Sequence, residues 1–375
     1  GLTLEEFPAY ARTHWAEIRQ TLHNGSYRPQ PVRRVTIPKP GGGERLLGIP
    51  TVTDRLIQQA MMQILSPLFG TNFSASSFGF REGRSVHGAL KQVKGYVRDG
   101  RRVTVDLDLA KFFDTVDNDV LMARDSRKVN DKKLLRLIGR CLRAGISLGY
   151  AVQPSEIGTP QGGPLSPLLA NILLDDLDKE LERRGHRFAR YADDLVILVK
   201  SQRAGVRVMK SISHFLTRRL KLQVNQQKSQ VVPTNKKKFL GFTFRGTKLC
   251  WHEKSFTDFK RRIRQLTGRS CGVSMAYRYR KLTEYIRGWM GYFGISEYYR
   301  PIPEVDTPPD SHVLLEAVAQ GADQGTQSTG VGNSETGGDL DRHELQELLA
   351  PVPVTGDADR DDECVVEATG FDLRA

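Results

Sequence analysis

The sequence predicts an α+β fold, in which helices pack on an antiparallel sheet, and three observations lead to this class. Apolar residues recur at helical spacing over 167–182, as on one face of a helix. Residues 102–107 alternate and are β-branched, which is typical of a strand. Residues 187–199 form two short apolar runs around Ala192-Asp193-Asp194, which indicates a hairpin with acidic residues at its tip. Helices combined with antiparallel strands define the α+β class.

The other elements follow in a mixed order. A helix over 3–24 precedes a short strand over 34–38 and a turn at Gly41-Gly42-Gly43, where glycine permits tight backbone conformations. Asp54 is the predicted N-cap of a helix that ends at Leu68, because a short acidic side chain can accept the free N–H groups there. Three more helical segments are predicted: 86–98, 206–220 and most of 255–298.

Composition narrows the class of partner and the cellular compartment. The 375 residues carry 56 Lys and Arg against 43 Asp and Glu, a net charge of +13, which favours nucleic acid or an anionic membrane face. No run of 18 apolar residues is present, so the sequence predicts no membrane-spanning helix. The four cysteines are far apart and form no CxxC pair. This spacing argues against a zinc ribbon or a disulfide scaffold and fits a reducing cytoplasm.

The charge is divided unevenly along the chain. Residues 306–375 hold 16 acidic residues, three arginines and no lysine, a net charge of −13. Residues 1–305 therefore hold 53 basic and 27 acidic residues, a net charge of +26. The tail is also poor in aromatic residues, so its composition predicts disorder. The body is expected to be globular and to bind an anionic polymer.

Carboxylates at the ends of apolar strands provide the chemical signal. Asp106 and Asp108 follow the run 103–105, and Asp193 and Asp194 lie at the hairpin tip. Like charges at a strand end repel unless they are compensated, and Mg²⁺ prefers such oxygen ligands. Two metal ions side by side can stabilise the attacking and leaving oxygens of phosphoryl transfer. The alternative is that these acids are solvated turn residues, and spacing alone leaves it open.

A series of motifs resembles a known family. Tyr191-Ala192-Asp193-Asp194 resembles the YxDD box of reverse transcriptases. Further blocks resemble the same family and come in its order: 48–55, 78–85, 108–114, 159–169, 225–228, 239–242 and 287–293. Together they resemble a bacterial group II intron-encoded reverse transcriptase and maturase across residues 1–305.

The resemblance implies a right-hand polymerase. Residues 1–100 would form the fingers and 101–245 the palm with its antiparallel sheet, while 246–305 would begin a helical thumb or maturase region before the acidic tail, 306–375. It implies DNA synthesis from dNTPs on an RNA template with a DNA primer, and help in splicing and mobility of a group II intron. The implied partners also include the intron RNA and a target DNA, but no membrane, and the implied location is the bacterial cytoplasm.

The resemblance also assigns the catalytic residues. Asp108, Asp193 and Asp194 would bind two Mg²⁺ ions, and the spacing to the following phenylalanines favours Asp108 over its rival Asp106. Lys228 matches a palm lysine that would donate a proton to pyrophosphate.

Other residues would bind the nucleotide and template. Phe113 would lie under the deoxyribose and exclude a 2′-hydroxyl, although it could instead be a core aromatic. Gln161 would contact the nucleotide or template, and Gly162 would let the backbone approach the bases. Lys39, Arg45 and Arg55 are the candidates that would bind the triphosphate, with solvated surface charges as the alternative.

Several features depart from the family pattern. The chain begins at Gly1 rather than Met, and its first residues resemble the end of the family's N-terminal block, so truncation is expected. No Cys/His cluster follows the body, so no endonuclease domain is expected. Two other functions stay open: an RNA-binding splicing factor with a silent polymerase, and an inactive fragment of a decayed mobile element. Phe113 and Ala192 disfavour an RNA-dependent RNA polymerase.

We predict that the acidic tail is read out of frame. Residues 310–315 can be encoded as GAT TCG CAT GTG TTA CTG, and removal of the first base gives Ile-Arg-Met-Cys-Tyr and the start of Trp. Permitted codons for 316–330 continue this reading as a basic segment that resembles the family's maturase region. Sequencing the gene decides the matter. A +1 frame downstream of about codon 306 that lacks the basic segment would refute the prediction and leave a genuine acidic linker.

Overall fold

A computed structural model describes residues 2–38, 43–147, 152, 153, 158, 161–267 and 273–297. The tail 306–375, Lys39 and most of the predicted glycine turn lie outside the described residues. Helices and mainly antiparallel strands are interspersed along the described chain, so the α+β class is confirmed. The chain divides into two compact units, Gly1–Lys248 and Leu249–Ala375. The finer division into fingers and palm stays a prediction.

The described residues form the following elements. The helices are α1 (Phe7–Asn24), α2 (Val52–Gly70), α3 (Val86–Arg98), α4 (Phe112–Thr115), α5 (Asn118–Asp125), α6 (Lys132–Leu142), α7 (Ser166–Arg183), α8 (Gln202–Arg219), α9 (Glu253–Thr267) and α10 (Met275–Phe293). The strands are β1 (Val32–Pro38), β2 (Glu44–Ile49), β3 (Val103–Leu107), β4 (Ile146–Ser147), β5 (Val152–Gln153), β6 (Arg187–Tyr191), β7 (Asp194–Val199), β8 (Gln230–Pro233), β9 (Phe242–Arg245) and β10 (Lys248–Trp251).

The first unit contains two four-stranded sheets. The N-terminal sheet has the order β2-β1-β4-β5. Its main contact is the antiparallel pairing of β1 with β2, in which Arg33 lies opposite Ile49 and Pro38 opposite Glu44. The central sheet has the order β6-β7-β3-β8. Strand β3 pairs antiparallel with both β7 and β8. The residues that follow the end of β3 therefore lie beside the residues at the beginning of β7.

Apolar side chains from the central sheet and its helices form one core. Val105 of β3, Ile197 of β7, Leu173 of α7 and Ile212 of α8 belong to this core, and each is at most 1% exposed. Burial of such side chains stabilises the fold by roughly 1.5–3 kcal/mol each. The helices α7 and α8 thus pack on the sheet through this core, which positions the residues at its edge.

Asp54 is not the N-cap that its position suggests. The helix begins at Val52, and the Thr51 hydroxyl accepts the N–H of Asp54 at 3.2 Å. Asp54 is instead 2% exposed and accepts hydrogen bonds from the Tyr27 hydroxyl at 2.8 Å and the Thr51 hydroxyl at 2.6 Å. A buried carboxylate needs such donors, and Asp54 obtains them by tying the segment after α1 to the start of α2.

The second unit is built around aromatic side chains. The ring of Trp289 on α10 lies 4.9 Å from that of Trp251 and 4.3 Å from that of Phe259 on α9. The Trp251 indole N–H donates to the carbonyl of Phe293 at 3.0 Å. The predicted helical region 255–298 is thus two helices, with residues 268–272 between them outside the description. No helix among the described residues is both long and apolar enough to span a membrane.

Candidate active site

The central sheet brings the predicted carboxylates to one edge. Leu107 of β3 lies opposite Leu195 of β7, and Tyr191 of β6 lies opposite Asp194. Continuing the first register by one residue brings Asp108 opposite Asp194, on strands that run roughly 4.8 Å apart. Asp193 occupies the turn between β6 and β7. The hairpin predicted from the sequence is therefore confirmed, and it opens beside the end of β3.

Hydrogen bonds from the segment before β8 fix the backbone of Asp108. Its N–H donates to the Ser229 hydroxyl at 3.0 Å, and its carbonyl accepts the Asn225 N–H at 2.8 Å. Two residues further, the N–H of Ala110 donates to the carbonyl of Gln223 at 2.9 Å. These bonds hold Asp108 at the sheet edge after the regular ladder has ended.

Negative charge accumulates at this edge. Desolvation by the surrounding protein, with the nearby negative charges of Asp193, Asp106 and Asp108, raises the pKa of Asp194 to about 6 against the opposing influence of Lys237. Burial also raises the pKa of Asp106. Within the described ranges no three His, Cys, Asp or Glu side chains are already arranged around a metal position. Mg²⁺ does not require such a cage, because it binds through one or two carboxylates together with water and substrate phosphates. The carboxylates present therefore fit a cation that arrives with substrate.

Lys237 belongs to this edge, contrary to the prediction from its charge run. Lys236-Lys237-Lys238 reads as solvated charge or as a nonspecific phosphate contact. In the structure the Lys237 ammonium forms an ion pair with Asp106, and both side chains are largely buried. Asp106 is thus compensated by a lysine, whereas no such ion pair to Asp108 or Asp193 is recorded for the described residues. This difference supports Asp108 over Asp106 as a metal ligand.

The turn that carries Asp193 has a strained backbone and a close neighbour. Ala192 has a φ of +57°, a left-handed conformation that non-glycine residues adopt rarely. Gly79 packs directly behind it: a methyl group on Gly79 would lie 2.2 Å from the Ala192 amide nitrogen. Only glycine at position 79 permits this approach.

A buried arginine binds the turn from within the protein. Arg190 is 1% exposed, and its guanidinium donates to both oxygens of Asp178, at 2.8 and 2.6 Å. It also donates to the carbonyl of Ala192 at 2.9 Å, to the Asn171 side chain at 2.9 Å and to the Ser77 hydroxyl at 2.8 Å. All five guanidinium donors are thereby used. Sequence analysis missed this role because Arg190, in an apolar run, looks like an ordinary strand residue.

The loop that contains Gln161 and Gly162, predicted to contact the nucleotide or template, contacts the N-terminal sheet. The carbonyl of Gln161 accepts the Gly48 N–H at 2.7 Å, and Gln161 is half-buried. Gly162 has a φ of +121°, and an added methyl group would lie 3.2 Å from the Gly48 carbonyl oxygen. The same addition at Gly163 would lie 2.3 Å from the Gln58 side-chain oxygen. From the family resemblance, these glycines are expected to let the backbone approach the bases of the nucleic acid. In the structure they let the loop pack closely against β2 and α2.

The other predicted residues differ in their exposure to solvent. Phe113 is half-buried in α4, where its ring meets that of Phe112 edge to face at 5.0 Å. Lys228 is exposed in the segment that also holds Ser229. Arg45 on β2 and Arg55 in the first turn of α2 are both exposed, as triphosphate binding would require, and Lys39 lies outside the described residues.

Comparison with known proteins gives the family. Residues 37–244, more than half of the chain, match the family described as reverse transcriptase (RNA-dependent DNA polymerase). Residues 256–309 match the maturase-specific domain of group II introns.

Two bacterial relatives have substantial identity. Protein YkfC of Escherichia coli K12 is 35% identical in an alignment that covers 65% of this chain and 73% of that protein. Group II intron-encoded protein LtrA of Lactococcus lactis is 32% identical, with 61% of this chain and 49% of LtrA covered. The chain thus spans about half the length of LtrA. It belongs to the reverse transcriptase family and, within that family, to the group II intron type with a maturase domain.

Proposed function

We propose that this chain catalyses RNA-directed DNA synthesis with two Mg²⁺ ions, for which Asp108, Asp193 and Asp194 supply the carboxylate ligands. The observation that carries the proposal is the meeting of Asp108 with the Asp193 turn at one sheet edge. The neighbouring negative charges, which add to desolvation in raising the pKa of Asp194, support it, because crowded carboxylates favour a bound cation. When bound, such ions stabilise negative charge on the reacting phosphate oxygens.

Residues of this chain would bind and orient the reactants and would donate a proton to the leaving group. The 3′-hydroxyl oxygen of the DNA primer attacks the α-phosphorus of a dNTP, forms the new P–O bond and displaces pyrophosphate. Phe113 sits five residues after Asp108 and would occupy the 2′ side of the sugar. Gln161 and Gly162 would contact the nucleotide or template. Lys228 would give its proton to the leaving pyrophosphate, and Lys39, Arg45 and Arg55 would bind the triphosphate.

The match to the maturase-specific domain supports a second role for the same chain, which is the binding of intron RNA. We propose that the body, with its net charge of +26 over residues 1–305, binds group II intron RNA through its phosphates and assists splicing. Insertion into a target DNA would follow from reverse transcription, and the bacterial cytoplasm is the proposed location. An RNA-binding splicing factor with a silent polymerase differs from this proposal in a single measurable respect, the incorporation of nucleotides.

Asp108→Asn and Asp193→Asn test the catalytic assignment. Each substitution removes a carboxylate charge that metal binding needs, so single-nucleotide incorporation on an RNA template should fall by about a thousandfold or more. Affinity for the template should change little, because it depends on the basic surface. Asp99→Asn, an exposed acid outside the site, is the matched control and should keep the wild-type rate. Normal incorporation by either site variant would refute the assignment.

Phe113→Ala tests the sugar gate. Removal of the ring opens space for a 2′-hydroxyl, so the preference for dNTP over rNTP should drop by about tenfold to a hundredfold, within the range that one steric pocket contact provides. Phe113→Tyr retains the ring and should retain the preference. The ratio of incorporation efficiencies for the two nucleotides is the measurement. An unchanged ratio in Phe113→Ala would mean that Phe113 serves only the core.

A further inference from the structure

Phe80 has an unusual combination of exposure and backbone conformation. The residue is 53% exposed, although residues 76–79 immediately before it are buried. Its φ is +57°, a left-handed conformation that is an outlier for a bulky L-residue. Single exposed apolar residues are common and need no explanation. An exposed apolar residue with a strained backbone does need an explanation, because the rest of the fold must hold the backbone in a conformation that the residue disfavours.

The surrounding loop is braced in a way that maintains this conformation. The guanidinium of Arg81 donates to three backbone carbonyls, those of Gly70 at 3.1 Å, Ser74 at 2.6 Å and Ser77 at 2.9 Å. On the other side of Phe80, the buried Asn171 side chain donates to the carbonyl of Gly79 at 2.9 Å. Both neighbours of Phe80 in the sequence are thus fixed by hydrogen bonds. The loop is rigid where the ring emerges.

The same loop lies against the catalytic turn. Gly79 is in direct contact with the backbone of Ala192, and the N–H of Phe78 donates to the carbonyl of Arg190 at 2.8 Å. Phe80 therefore follows, by one residue, the point at which the loop touches the turn that bears Asp193. A primer end placed for attack at Asp193 would lie beside the turn that this loop contacts.

We propose that Phe80 is a stacking residue for the unpaired template base next to the bound template–primer duplex, beside the proposed catalytic turn. An aromatic face stacks on any base without regard to sequence, as a polymerase that copies every sequence requires. The strained backbone keeps the ring in solvent when no nucleic acid is bound. This inference rests on the proposed function, since it takes template and primer as the ligands.

Phe80→Asn separates a binding role from a packing role. Asparagine tolerates the left-handed backbone, so the thermal midpoint of the variant should equal or exceed that of the wild type. Loss of the ring should weaken binding of an RNA–DNA template–primer by about tenfold. Phe80→Trp supplies a larger aromatic face and should bind at least as well as the wild type. Ile64→Ala, which truncates a residue that is 65% exposed on α2, is the matched control and should leave the affinity unchanged.

The affinity is measured by fluorescence anisotropy of a labelled RNA–DNA template–primer with an unpaired RNA overhang, without dNTP or divalent metal, and the midpoint by thermal unfolding. Affinity of Phe80→Asn within twofold of the wild type would overturn the inference. A loss of affinity in Ile64→Ala as large as that in Phe80→Asn would also overturn it, because removal of any exposed apolar side chain would then weaken binding. Nucleotide incorporation by the wild type is measured separately. Its absence would refute the proposed polymerase function, whereas the anisotropy results bear on Phe80 alone.

Discussion

The buried ion pair between Arg190 and Asp178 is the interaction on which the geometry of the site depends. Arg190 belongs to β6 and Asp178 to α7, so the pair joins the central sheet to a helix that packs on it. Removal of one partner of such a pair costs about 3–5 kcal/mol, because the other charge stays buried and uncompensated. The remaining guanidinium donors reach Ala192, Asn171 and Ser77. A single side chain thus couples the core, the loop before α3 and the turn that carries Asp193.

This coupling explains how a cluster of carboxylates can persist at a sheet edge. Electrostatic repulsion would separate Asp108, Asp193 and Asp194 if their backbones were free. The turn is instead held from behind by Arg190 and Gly79, and Asp108 is held by Ser229 and Asn225. Stability supplied elsewhere in the fold therefore maintains an arrangement that is unfavourable by itself, as is usual at functional sites. The resulting excess of negative charge is the physical basis for proposing Mg²⁺ there.

Much of this arrangement could be predicted from local sequence signals. Helix α3 begins and ends where the pattern predicts, and the strands around Asp193 differ from the prediction by one residue at most. The residues whose roles were not predicted have one feature in common. Each role depends on a partner that is far away in the sequence. Asp54 resembles an N-cap but serves as a buried acceptor for Tyr27, and Lys237 lies in a charge run but pairs with Asp106. Strand β2, with polar residues and a glycine, is defined by its pairing with β1 more than by its own pattern.

If Arg190 controls the position of the proposed catalytic turn, a comparison of two buried arginines shows it most directly. Arg124 is also buried and pairs with an aspartate of α7, Asp176, at 2.9 Å, but its hydrogen bonds and ion pair within the described residues do not reach the turn. Both Arg190→Lys and Arg124→Lys should lower the thermal midpoint. In single-turnover nucleotide incorporation below that midpoint, Arg190→Lys should be slower by about a hundredfold, as expected for a displacement of about 1 Å at the reacting groups, while Arg124→Lys should keep the wild-type rate. Equal rates for the two variants would contradict the account.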